Sequence, residues 1–144
     1  MHRPLGTATL AVICAMMIGC SSDDSPTSSG GTTGRTIKSN PAFATDIQEI
    51  FDRRGCSASN CHGAAKASSL DLRIGASHSQ LVGKAVSQTS GTRVIINNAQ
   101  DSYLVMKIEG RQTIGLKMPI TGPMLDSIDI QNIRNWIDTG APNN

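Results

Sequence analysis

The residues best equipped for chemistry lie in one short run, Cys56-Ser57-Ala58-Ser59-Asn60-Cys61-His62. Two thiols beside an imidazole can hold a haem covalently. The sulfurs add across its two vinyl groups, and a histidine directly after the second cysteine is held beneath the iron as proximal ligand. The succession of Cys61 and His62 carries this reading. The ordinary attachment motif is C-x-x-C-H; here four residues separate the cysteines, so the extra ones must loop outward, which small Ser57, Ala58 and Ser59 permit.

Three other chemistries compete for the same residues. In an oxidising compartment Cys56 and Cys61 could form a disulfide. Zinc asks for about four ligands, and the mature chain offers only Cys56, Cys61, His62 and His78 beside Cys20, with no second paired motif. A catalytic thiol paired with histidine needs one cysteine and leaves its neighbour without a role. Cysteine arithmetic favours haem: of four cysteines, Cys14 falls in the apolar N-terminal run and Cys20 just after it, which leaves Cys56 and Cys61 as a pair next to histidine.

An iron that passes electrons without binding outside ligands needs a sixth ligand. Met106, Met118 and Met124 survive maturation. Met118 is the choice, because Pro119 fixes the backbone after it and Gly115, Thr121 and Gly122 place it in a loop free to approach a haem face. Thioether sulfur raises the reduction potential relative to histidine ligation. Met106 falls inside a helical pattern, where core packing is the natural role. Met124 and His78 are the remaining candidates, His78 reading as an exposed histidine at a helix start.

Residues 1–19 read as a signal peptide, with basic Arg3, an apolar run from Leu10 to Ile18 and small Gly19 before Cys20. The run is too short to span a bilayer. Met17-Ile18-Gly19-Cys20 resembles the bacterial lipoprotein box, which implies Cys20 as the lipidated first residue of the mature chain; Ser21 after it implies sorting to the outer membrane. Residues 20–37 are almost wholly Ser, Thr, Gly, Asp and Pro, the composition of a flexible linker. One domain is then expected over 38–144. A net charge of +2 and 17% charged residues give no reason to expect nucleic acid as a partner. Only 3% of residues are aromatic, so a small core would draw stability from a bound group.

Two amphipathic helices bracket that domain. Asn40 and Pro41 suit a helix start, and Phe43, Ile47, Ile50 and Phe51 form one apolar stripe before Gly55 ends it. Ser127 can cap a second helix carrying Ile130, Ile133, Trp136 and Ile137, closed by Gly140 and Pro142. Neither can bury its stripe alone, so first should pack on last. Ser77 to Lys84 and Asp101 to Glu109 are shorter helices, and Val94 to Ile96 is briefly extended. The expected class is all-α with long loops.

Several residues together carry a wider likeness: Ile50-Phe51, Gly55-Cys56, Cys61-His62-Gly63, Leu70-Asp71-Leu72, Asp101-Ser102-Tyr103-Leu104-Val105 with Lys107, Lys117-Met118-Pro119, and Ile133-Arg134-Asn135-Trp136-Ile137 with Gly140-Ala141. The pattern resembles bacterial class I mono-haem cytochrome c-like lipoproteins, whose attachment segment likewise often carries four intervening residues. The resemblance implies a cytochrome c-type fold with first and last helices packed around one haem c. It also implies Cys56 and Cys61 as attachment points, and His62 and Met118 as iron ligands. Where such proteins often have a Pro-Gly turn, this chain has Asn97-Asn98.

The expectation is a monomeric, lipid-anchored electron carrier, not itself an enzyme, on the periplasmic or surface side of a bacterial membrane. Its partners would be redox proteins, with Ile47, Phe51, Leu104, Ile133 and Trp136 lining or supporting the haem pocket. Two rivals stay open. One is a haem-free secreted binding module closed by a Cys56-Cys61 disulfide; the other is a haem enzyme with an open iron position.

Overall fold

The computed structural model describes residues 34–144. The signal peptide expected over 1–19 and the lipidation expected at Cys20 lie outside the described residues. Within them every regular element is helical, and the only β pairing is three isolated bridges, Val82 with Val94, Ala85 with Thr92 and Ile95 with Asn98. The class is all-α. No helix among the described residues is long and apolar enough to cross a membrane.

A π-helical turn, Phe43–Ile47, runs directly into α1, Gln48–Arg53. Asn40 does not cap it. The first free N–H groups are taken from elsewhere: Ala42 N donates to Asp46 Oδ2 at 2.9 Å, Phe43 N to Asn144 Oδ1 at 2.9 Å and Ala44 N to Asn144 O at 2.8 Å. Gly55, at φ +71, ends the helical run just ahead of Cys56, as its position predicts.

The shorter helices are α2, Ser77–Leu81, and α3, Tyr103–Glu109. The last, α4, spans Ser127–Asp138. Its cap is Asp126, one residue earlier than expected, whose carboxylate accepts from Asp129 N at 3.0 Å. An aspartate there satisfies a free donor and also meets the positive end of the helix dipole.

The start of the first helix packs on α4, with Phe43 and Trp136 rings 5.1 Å apart. Ile47, Phe51, Leu81, Val94, Val105, Ile133, Trp136 and Ile137 are fully buried between the elements. Phe43, Phe51 and Trp136 all lie in this core, so a chain poor in aromatic residues places most of them where each buries the most area. Trp136 Nε1 donates to Pro142 O at 2.9 Å, satisfying its one polar atom.

A charged network pins the same two helices. Asp129, with 1% of its side chain exposed, accepts from Arg35, Arg53 and Arg54 at 2.6 to 2.7 Å. Arg35 and Arg54 also reach Asp126 at 2.7 Å. Arg35 belongs to the segment that composition assigns to the linker, yet it is docked, and Asn132 holds its neighbours through Thr36 O at 3.0 Å and Lys38 N at 2.8 Å. Folded structure therefore begins a few residues ahead of position 38.

Candidate functional site

The Cys56-to-His62 segment is a compact excursion closed by its own backbone. Cys56 N donates to Phe51 O at 2.8 Å, tying it to α1, and His62 N donates back to Cys56 O at 3.0 Å. Cys61 N and Gly63 N both donate to Ala58 O, at 2.9 and 3.0 Å. The four residues between the cysteines are thus absorbed in a loop that returns His62 to Cys56. Only glycine fits at position 63: a Cβ there would sit 2.6 Å from Ala58 O and closer still to Ser57 O.

His62 is then oriented from two sides. Its carbonyl accepts from Leu72 N at 2.6 Å, and Leu72 O in turn accepts from the buried Gln48 amide of α1 at 3.0 Å. Its ring Nδ1 lies 2.9 Å from Ala67 O. A carbonyl can only accept, so Nδ1 carries the proton and Nε2 keeps its lone pair, the tautomer a metal-binding imidazole needs. Burial holds the His62 imidazole below its ordinary pKa, which favours the neutral ring.

The carbonyl on Nδ1 comes from an unusual turn. Lys66, Ser68 and Ser69 all have left-handed backbones, at φ +48, +55 and +57. Such residues cost on the order of 1 kcal/mol or more each and persist only where surroundings impose them. Arg93 holds the turn together with Ser87, whose Oγ donates to Ser68 O at 3.3 Å. The Arg93 Nη2 donates to Ser68 O and Ser69 O at 3.3 and 3.2 Å, and its Nη1 to Gln80 O at 2.8 Å.

Cys56, His62 and Met118 line one cavity. Its volume is about 270 Å³, or about 1110 Å³ with the space of its open mouth included. The enclosed figure lies just under the roughly 300–1,000 Å³ of small-molecule and cofactor sites, and the cavity opens widely to solvent. Phe51, Leu70, Leu72, Leu81, Leu104, Ile108 and Leu125 form apolar wall; Arg93, Tyr103 and Lys107 bring polar groups. Phe51 and Leu104 are thus wall residues, whereas Ile47, Ile133 and Trp136 form the packed core behind them.

Not every expected site residue reaches the cavity. Cys61 is not among its lining; its Sγ lies 3.7 Å from Asn60 Oδ1. Cys56 and Cys61 are both free thiols, and burial pushes Cys56 up to about 11. Met124 is exposed and Met106 lies on α3, neither of them lining the cavity. His78 is half-buried rather than exposed: it packs edge-on against Phe43 with centroids 4.9 Å apart, and its Nε2 lies 2.9 Å from Ala141 O. Its place is structural. Among the described residues no group of three His, Cys, Asp or Glu side chains is gathered to hold a metal ion.

The loop bearing Met118 is fixed by α3. Met118 N donates to Lys107 O at 2.9 Å, and Tyr103 Oη donates to Ile114 O at 3.0 Å. The roles of Arg93, Lys107 and the 66–69 turn were not readable from the sequence, because nothing in residue type marks a lysine or arginine as bonding carbonyls rather than water. Compared with protein-family models, with curated proteins and with solved structures, the chain matches none.

Proposed function

We propose that this chain is a mono-haem c-type electron carrier of cytochrome c-type fold, with Cys56 and Cys61 as attachment thiols, His62 as proximal ligand and Met118 as sixth ligand. One observation carries the reading: a cysteine, a histidine whose Nδ1 faces a carbonyl and a methionine line one largely apolar cavity that opens to solvent. The donor set fits a haem. A sulfur nucleophile, a neutral imidazole and a thioether are what covalent attachment and six-coordination require. The second thioether needs the Cys61 side chain to swing away from Asn60, a movement of a partly exposed group that leaves the core untouched.

Haem supplies the one-electron chemistry; the protein supplies binding, orientation and exclusion of water. Ala67 fixes the His62 tautomer, the leucine and phenylalanine wall keeps the cavity dry, and the 112–118 loop presents Met118. By this reading the carrier is tethered through lipid on Cys20, in the outer membrane or at the cell surface. It works there as a monomer that meets redox proteins in weak, brief encounters.

The test is the mass of mature protein under denaturing conditions, after expression with haem-attachment machinery. A polypeptide beginning at Cys20 and heavier by acyl chains and one haem is expected. Protein that yields all its colour to acid-acetone extraction would rule the attachment out.

A further inference from the structure

We infer that Lys107 is the positioning residue for Met118, holding its loop at both ends of the lysine. The inference rests on the proposed role of Met118 as iron ligand. Its main-chain oxygen accepts from Met118 N at 2.9 Å, and its Nζ donates to Leu116 O at 2.9 Å and Ile114 O at 3.1 Å. An ammonium has three donors. Two are spent on carbonyls of this loop, and the charge lies over the Tyr103 ring, 5.6 Å from its centroid. The same tyrosine donates to Ile114 O, so α3 grips that carbonyl twice.

Gly115 gives independent support. It sits between the two accepting residues at φ +74, and a Cβ on it would lie 2.8 Å from the Lys107 Nζ. A side chain at position 115 would therefore push the ammonium, the mobile end of the lysine, off its carbonyls. A lysine of merely general surface use would leave its charge in water. With the grip removed, the thioether has no fixed position and competes poorly with solvent or carbon monoxide for the iron.

The experiment uses full-length, haem-loaded protein in five forms: the natural chain, Lys107→Gln, Lys107→Arg, Gly115→Ala and Met118→Ala. The near-red sulfur-to-iron band, the reduction potential and carbon monoxide affinity are read on each. Hydrogen exchange of residues 112–118 is followed in parallel. In Lys107→Gln the band should fade, the potential should fall and carbon monoxide should bind about tenfold tighter or more, as loss of a charged donor's bonds to two carbonyls implies. Lys107→Arg should restore part of the band. Gly115→Ala, which keeps the lysine but crowds it, should shift all three readings the same way and serves if Lys107→Gln does not fold.

A Lys107→Gln protein with natural band, potential and affinity would overturn the inference. So would unchanged exchange across 112–118, whichever residue ligates the iron. A natural protein without the band, or Met118→Ala with it, would instead remove Met118 as ligand.

Discussion

Arg54 Nε donates to Asp129 Oδ2 at 2.6 Å, joining the residue just ahead of Gly55-Cys56 to the first turn of α4. Arg35 and Arg53 share the other carboxylate oxygen. Removing the charge that three guanidiniums face should cost far more than removing one of them. Asp129→Asn is expected to lower stability by about 3–5 kcal/mol, the range for breaking a buried ion pair. Arg35→Ala, at the partly exposed edge, should cost under about 1 kcal/mol. Urea unfolding of both variants checks the order, and equal losses would contradict it.

Acid should weaken the same joint. The Arg35 guanidinium beside Asp126 holds its carboxyl well below the usual carboxylate range. An unfolded chain has an ordinary aspartate near about 3.9, so the contribution is complete above that value and is lost as pH falls toward the lower folded one. Urea midpoints should be level from about pH 7 to 5 and drop below about pH 4. Arg35→Gln should let the folded value rise and make the acid limb shallower; an identical limb would show that Arg35 does not set it.

Arg93 holds a strained turn, so its loss should register at His62 as well as in stability. Arg93→Gln is expected to cost about 1–3 kcal/mol through the lost bonds to carbonyls. The His62 Nδ1–H, seen by nuclear magnetic resonance, should exchange with solvent faster than in the natural protein. Unaltered exchange beside a normal stability loss would mean that the turn keeps its shape without Arg93.

The two thiols should differ in the haem-free folded chain. With Cys56 pushed up to about 11 by burial, about one thiol in a thousand is ionised at pH 8, and the thiolate is the reactive form. Iodoacetamide should modify Cys56 much more slowly than an ordinary thiol of pKa about 8.5, and urea should abolish the lag. Peptide mapping by mass spectrometry reads the two sites separately; rapid labelling of Cys56 without denaturant would contradict its burial.

Signals that act over a few residues were legible in the sequence. The 3.6-residue stripe of α4, the stops at Gly55, Gly110 and Gly140, and the turn at Asn97, with φ +60, all appear where residue types place them. Caps supplied from a distance were not. Asn40 looks like the start of the first helix, but Asn144 and Asp46 satisfy its amides, and no local rule points from residue 43 to residue 144. At the site, Cys56, His62 and Met118 line one cavity, while Cys61 stands aside because adjacency in sequence does not fix where a thiol points. The Asp129 network stayed hidden: a single aspartate in a helix reads as solvated until three arginines close on it.

The first helix borrows its cap from Asn144, its ring contact from Trp136 and its charge partner from Asp129. All three partners lie at or after residue 129. Without them the first helix loses its distal supports, and the stretch around Cys56 is held by fewer contacts. Chains cut before Ser127 are accordingly expected to label at Cys56 and Cys61 alike, without any lag.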